Sequence, residues 1–431
     1  MRLRPVAEIR DPVHGYIEIT ETERELIDSP FVQRLRRIHQ LAGAYLTYPG
    51  AVHTRFDHVV GAMYVAGELA ESVAHRASVT ADQIEEVRLA ALLHDVGHGP
   101  FSHMYEEVLA DKTTITHEDI SQRIVRETTI KDILTKHGFS ARKMSELAVG
   151  KGKSFPPFMN EIVAGGLSAD IMDYVLRDSY FTGVEYGRVD IRRVIDSLSV
   201  ADGHLALDDA ALYAFEALLL ARYEMFKTVY FHRTVRAGEL MLVNAMRLAD
   251  GALGLTDLSD LDRYLDMTDE IVLHNLITMD ATTPDLKEAK RLAADFRNRR
   301  LVKCVFERVV QRRDRVIEEL FGKSSMRKQL VLDLAKEAKV SRLHIYFDVS
   351  TTPSVPYTSS RQALTTIELI SGTAKKARHR TVRLSELPLV GSIAGYMDIL
   401  RIYTTQKERQ AVERAVAKLF SDEGYMTKIS V

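Results

Sequence analysis

The sequence predicts a mostly α-helical protein: a helical core over residues 1–325, followed by a smaller α+β subdomain over residues 326–431. Two textures and one concentration of a single residue type carry that reading. From about residue 20 to 325, apolar residues recur three and four apart with good helix formers between them, as in amphipathic helices sharing a core. From 326 the texture changes, and RLHIYFDVSTTP (342–353) alternates as a strand before SVPYTS (354–359) breaks it into a loop. The segment ERQAVERAVAKLF (408–420) then reads as a closing amphipathic helix. Ten of the 15 histidines (His14, His39, His53, His58, His75, His94, His98, His103, His117 and His137) crowd into the first third of the chain. That third uses imidazole for something.

Individual helices have readable ends. One is expected to begin near Asp57 and to carry His58. Thr80 with Gln83 three residues on forms a capping box, and Ile84, Val87, Ala91 and His94 follow along one stripe. Gly97, Gly99 and Pro100 stop that helix. Another opens at Ser168 and closes near Gly183, with Asp170 in its first turn.

Composition excludes several classes. The 431 residues are 46% hydrophobic and 27% charged, ordinary for a globular chain with its own core. The single cysteine, Cys304, excludes an internal disulfide or a thiolate-clustered metal site, and a reducing cytoplasm is expected. MRLRPVAEIRDPVHG has no signal-peptide apolar stretch, and no membrane insertion is expected. With 58 basic and 60 acidic residues the formal charge is -2, so nothing global draws the chain to a nucleic-acid backbone.

The chemistry concentrates in LLHDVGHGPFSH (92–103), where His94 and Asp95 sit side by side at a helix end and a glycine-rich turn supplies His98 and His103. Adjacent imidazole and carboxylate donors suit one divalent ion among magnesium, manganese, iron, nickel and zinc. His58 and Asp170 are the further donors expected from the helical core, giving two histidines and two aspartates. Such a site can lower the pKa of a water and neutralise phosphoryl charge. A lone histidine such as His58 is more often a hydrogen-bonded core residue, but a His-Asp pair followed by Gly-His-Gly-Pro and another histidine is seldom coincidence. On the helix from Ser168, Asp170, Asp173, Tyr174, Arg177 and Asp178 share one face. A solvated face with an Asp173–Arg177 pair explains that mixture less well than a buried polar face does.

These residues resemble the HD-domain phosphohydrolases, in particular the deoxynucleoside triphosphate triphosphohydrolase branch with its sterile-alpha-motif and HD-domain members and prokaryotic relatives. The similarity runs through DPVHGYIEI (11–19), FVQRLRRIHQLAGAYLTYPGAVHTRFDH (31–58), LLHDVGHGPFSHMYEE (92–107), THE (116–118), DYVLRDSYFTGV (173–184) and ARYEMFKTVYFHRTV (221–235).

The resemblance implies cleavage of a deoxynucleoside triphosphate to nucleoside and inorganic triphosphate, with His58, His94, Asp95 and Asp170 as metal ligands. It implies that His98, His103, His117 and Glu106 surround the phosphates, and that His117 or His103 protonates the leaving oxygen. Arg55, Arg222 and Tyr174 match phosphate contacts, while Gln40, Leu41, Asp178 and Tyr230 match sugar contacts, Tyr230 helping to exclude a 2′-hydroxyl. Asp28, Gln33 and Arg36 match a nucleotide activator site, and a homo-oligomer, dimer or tetramer, is expected.

Departures are specific. Ile171 replaces a phosphate-binding lysine, Phe231 a base-facing glutamine and Ala7 an activator-site lysine; at a second activator site Arg193 matches but Asp208 and Ala210 stand for basic residues. Two other functions compete: another HD-type phosphoesterase, such as a nucleoside monophosphatase or phosphodiesterase, and a nucleotide-binding scaffold without turnover.

Overall fold

The computed structural model describes residues 3–74, 76–312, 324–353, 366–371, 378–393 and 396–421. The fold is mostly helical with small sheets, as the sequence predicts, and it divides into two compact units. The first comprises Met1–Met225, Thr256–Val272 and Val355–Ile393, the second Phe226–Leu255, Leu273–Ser354 and Ala394–Val431.

The first unit opens with an antiparallel hairpin, β1 (Ala7–Asp11) and β2 (Gly15–Ile19), in which Asp11 faces Gly15. Helices then take over. Arg55–Ala74 packs along Ala81–Leu93 and also along Ala169–Thr182, and these three helices carry the metal-ligand candidates. Arg55–Ala74 starts two residues before the expected Asp57 because Asp57 reaches back: its Oδ2 accepts from the Thr54 amide (2.7 Å) and hydroxyl (2.8 Å). The Thr80–Gln83 capping box forms at Ala81–Leu93, and Ser168 caps Ala169–Thr182, which ends at Gly183 in the left-handed region (φ 76°).

Strands also appear inside the stretch expected to be helical. β3 (Leu198–Ala201) and β4 (His204–Asp208) form a hairpin, and β4 pairs in parallel with β7 (Thr366–Ser371), which pairs with β8 (Arg378–Arg383). The hairpin itself has a local signal in the Asp202-Gly203 turn, with both residues at positive φ, whereas the long-range pairing of β4 with β7 leaves none.

In the second unit β9 (Tyr396–Thr404) lies between β5 (Lys303–Arg312) and β6 (Ile345–Pro353), all antiparallel. Helices Ser324–Ala338 and Arg409–Ser421 cover them through Leu330, Leu334, Ile345, Leu400, Ile402 and Val412. Helix Arg233–Leu253 joins this unit through Arg236, which forks onto Asp348 of β6 (2.7 and 3.3 Å). The expected boundary at 325/326 therefore falls inside the second unit, and 366–383 returns to the first. The strand and final helix expected at 342–353 and 408–420 are β6 and Arg409–Ser421; the loop expected at 354–359 lies outside the described residues.

Gly61 sets how closely Arg55–Ala74 approaches Ala169–Thr182, since a Cβ there would overlap the Asp173 carboxylate and the Arg177 guanidinium. Overpacking a buried contact costs about 1–3 kcal/mol. Gly61→Ala is expected to lower unfolding free energy in urea by that amount, whereas Gly138→Ala, with open space around its Cβ but a φ of 84°, reports backbone strain alone.

Candidate metal centre

His58 sits in the first turn of Arg55–Ala74 and is 1% exposed. Its Nδ1 meets Asp173 Oδ2 at 2.8 Å. An ionised carboxylate only accepts, so Nδ1 carries a proton in either charge state, and Nε2 is the nitrogen that can give its lone pair to an ion once its own proton is displaced. That Nε2 is buried without a hydrogen-bond partner among the described residues, 3.2 Å from Asp170 Oδ1 and 3.8 Å from Asp95 Oδ2. His94, the C-cap of Ala81–Leu93, repeats the pattern: Nδ1 donates to Ala91 O (2.7 Å), and Nε2 lies 3.2 Å from Asp95 Oδ1 and 3.8 Å from Asp170 Oδ1. Two imidazole nitrogens and two carboxylates from three helices thus converge.

The set fits a divalent cation on two counts. The first is the orphaned Nε2 of His58, a buried polar atom that needs a partner. The second is charge. Burial pulls the imidazoles toward neutrality, yet Asp170 and Asp173 raise His58 to about 10, and Asp95 with Asp170 raise His94. Asp95 and Asp170 stay well below the usual carboxylate range despite burial, through the neighbouring imidazoles and, for Asp95, Arg55. Imidazoles that hold protons against burial mark a place short of positive charge.

Beside this centre lies a second group. His98 stacks on His117 (ring centroids 3.9 Å apart), and its Nε2 is 3.3 Å from Asp95 Oδ1. Glu106 spans the other two, with Oε1 2.5 Å from His117 Nδ1 and Oε2 2.9 Å from His103 Nδ1. It also accepts from the His117 backbone amide at 3.1 Å. Burial would raise the Glu106 carboxyl, but the two histidines hold it far below its ordinary value. Burial, with Arg55 and His117 nearby, pushes His98 down.

The turn joining the two groups is strained and tightly held. Phe101 and Ser102 lie at φ 59° and 57°, in the left-handed region. The Phe101 amide donates to Asp269 Oδ1 (2.6 Å), Ser102 Oγ donates to His39 O (2.7 Å), and Arg55 Nε donates to Ser102 Oγ (2.8 Å). Gly97 is pinned from both sides, its amide on Ser121 Oγ (2.9 Å) and its carbonyl accepting from Tyr264 (2.8 Å).

Residues 55–178 match the HD domain, and residues 189–423 match the HD associated region. The chain belongs to the HD-domain phosphohydrolase superfamily. It is similar to an uncharacterized protein of Methanocaldococcus jannaschii, 35% identical over 260 residues, 59% of this chain and 52% of that protein. It is similar also to the deoxynucleoside triphosphate triphosphohydrolase SAMHD1 of Homo sapiens, 29% identical over 349 residues, 69% of this chain and 55% of that one. The chain thus spans about half the length of the curated relatives it matches.

Among solved structures it is similar to a hypothetical protein from Aquifex aeolicus (TM-score 0.74, 28% identity, covering 95% of this chain and 99% of that one). A phosphohydrolase from Bacteroides thetaiotaomicron (TM-score 0.73, 24% identity, covering 93% and 100%) shares the fold.

Several of the expected substrate-facing residues are already engaged by protein neighbours. Arg55 is ion-paired to Asp95 and donates a hydrogen bond to Ser102. Arg222 Nε donates to Tyr174 Oη at 3.0 Å, and burial pushes the Tyr174 hydroxyl up to about 12 against Arg222. Asp178 is buried, with Oδ1 2.8 Å from His53 Nε2. Gln40 Oε1 is buried without a hydrogen-bond partner among the described residues, and Leu41 is half-buried beside it in sequence. Tyr230 belongs to the second unit. Asp28 caps helix Glu21–Ile27, Gln33 donates to Ile27 O (2.8 Å), and Arg36 donates to Gln33 Oε1 (2.9 Å) while lying over the Phe56 ring. Ile171 is buried. Among the described residues no helix is long and apolar enough to cross a membrane.

Sequence reasoning missed the support behind His58. Asp173 and Arg177 lie on a buried polar face, as expected, and pair there (2.9 Å), but Arg177 also reaches Asp11 (2.8 Å). DPVHG (11–15) gave no signal of it, because Asp, Pro and Gly are ordinary residues of a surface turn.

Asp269 gives a pH test. The His39–Asp269 hydrogen bond (2.8 Å) raises His39 against burial. A raised histidine contributes stability fully below its unfolded pKa, about 6.5, and loses it as pH climbs through the folded value. The loss in Tm on Asp269→Asn is therefore expected to be larger at pH 6 than at pH 9, read by circular dichroism.

Proposed function

We propose that this chain is a metal-dependent phosphohydrolase that cleaves deoxynucleoside triphosphates to the deoxynucleoside and inorganic triphosphate. The observation that carries the reading is the pair of Nε2 atoms, on His58 and His94, turned to the same space as Asp95 and Asp170 by partners on their Nδ1 atoms. The similarity to SAMHD1, named as such a triphosphohydrolase, supports the substrate class.

His58, His94, Asp95 and Asp170 would hold one divalent ion, of magnesium, manganese, iron, nickel or zinc type. Bound there, the ion polarises the phosphate ester and offsets charge on the transferred phosphoryl group. Arg55 and Arg222 bind phosphate oxygens with planar guanidinium forks. His117 hands a proton to the leaving oxygen. Glu106 holds its Nδ1 and backbone amide together, whereas the side chain of His103 is 65% exposed and less constrained. His98 fixes the far face of the His117 ring by stacking. Tyr174 braces Arg222, Gln40, Leu41 and Asp178 serve the sugar, and Tyr230 excludes a 2′-hydroxyl. Asp28, Gln33 and Arg36 form a nucleotide effector site, and the working form is a cytoplasmic homo-oligomer, a dimer or tetramer.

Ile171, buried and apolar where relatives of this kind use a lysine, favours a second reading: another HD-type phosphoesterase acting on a smaller phosphate. Incubating the protein with each deoxynucleoside triphosphate and each of the five metals, then separating triphosphate from orthophosphate chromatographically, discriminates them. Triphosphate is the expected product, and orthophosphate alone supports the second reading.

The His94→Ala, Asp95→Asn double variant is expected to lose turnover with helicity retained; surviving turnover removes these two residues from the site. A general acid contributes about 10²–10⁴-fold. His117→Ala is expected to lower kcat by about that factor without loss of bound metal, measured by elemental analysis beside steady-state rates, and an unchanged kcat overturns its role.

A further inference from the structure

The side chain behind His58 is itself held on every side. Asp173 Oδ2 meets His58 Nδ1 (2.8 Å) and Arg177 Nε (2.9 Å), and its Oδ1 meets Arg177 Nη2 (2.9 Å) and His14 Nε2 (2.7 Å). A carboxylate has about four acceptor positions, and all four are filled. Asp173 and Arg177 are fully buried, and the His14 side chain is 6% exposed.

The two outer members come from the other end of the sequence. Asp11 Oδ2 accepts from Arg177 Nη1 (2.8 Å), while its Oδ1 accepts from the backbone amides of Val13 and His14 (2.8 Å each). Asp11 therefore anchors the guanidinium and also folds the β1–β2 turn that delivers His14. With every lone pair occupied, the Asp173 carboxylate has no freedom to rotate away from His58.

We propose that Asp173, locked by Arg177, Asp11 and His14, is a positioning residue that fixes the ring orientation and tautomer of His58 and thereby its affinity for a divalent ion. The β1–β2 turn is on this view a working part of the metal centre. A carboxylate on the distal nitrogen of a ligating histidine fixes the tautomer and strengthens the imidazole as a donor, and its loss typically weakens metal binding about 10–100-fold. The inference rests on the metal-centre reading above.

The test uses the full chain and Mn²⁺ alone, with affinity measured by calorimetry and the His58 Nδ1–H hydrogen bond to Asp173 read from its ¹H and ¹⁵N signals in the ion-free protein. Asp173→Asn is expected to weaken Mn²⁺ binding by about 10–100-fold. His14→Ala, which removes one donor at a hairpin turn and leaves the helices untouched, is expected to weaken it by about fivefold, with His14→Gln restoring most of the loss. In both weakened variants the His58 Nδ1–H signature should diminish while the thermal transition stays cooperative.

Mn²⁺ affinity within twofold of the parent in folded Asp173→Asn overturns the proposal. If that variant does not fold, parental affinity and an unchanged His58 signal in His14→Ala overturn it. His94→Ala separates the two levels: full Mn²⁺ binding there defeats the metal centre itself, whereas lost binding there beside normal binding in Asp173→Asn defeats the positioning role alone.

Discussion

Charge that is buried must be matched where it lies, because an ion pair broken in the interior leaves an uncompensated group worth several kcal/mol. Around His58 that requirement organises the first unit. Arg177 is 0% exposed and lies between Asp173, on its own helix, and Asp11, in the β1–β2 hairpin. Satisfying it brings the hairpin, helix Arg55–Ala74 and helix Ala169–Thr182 together at one point. Gly61 supplies the clearance that contact needs, so the metal-ligand candidates inherit their spacing from a match between charges that are not ligands.

The Gly97–Ser102 turn obeys the same logic with backbone groups. Two consecutive residues with positive φ are costly, and they persist where surrounding bonds over-determine them. Arg34 donates to His98 O and to Met267 O (2.7 Å each) while lying over the Tyr264 ring, which itself bonds Gly97 O. Asp269 fastens both Phe101 and His39. Helix Ala81–Leu93 can therefore end abruptly, with the Asp95 carboxylate lying between His94 and His98.

Much of this was readable in the sequence because the informative features are local. A capping box at Thr80, a serine cap at Ser168 and the run from His94 to His103 are short motifs with their own physical meaning, and the mixed polar face of Asp173, Tyr174 and Arg177 already argued for burial. What the sequence could not supply was partner choice across long separations. Nothing near Asp173 says that His14 completes it, and nothing in 198–208 says that a strand at 366–371 will join it. Helix Arg233–Leu253 reads as continuous with the core by periodicity, although Arg236 commits it to β6. Ile171 looked like a gap in phosphate binding; in the fold it is a buried apolar side chain.

The parallel ladder between β4 and β7 bears on how the molecule can be divided. A truncation at residue 325 would strip β4 of the neighbour that occupies Ala206, Leu207 and Asp208, two of which are completely buried. The orphaned rim would then present bare amides and carbonyls next to apolar side chains, a template for unwanted intermolecular pairing. Dissection of the first unit must keep residues 366–383 alongside it, so the gene offers no clean linear cut between the two units.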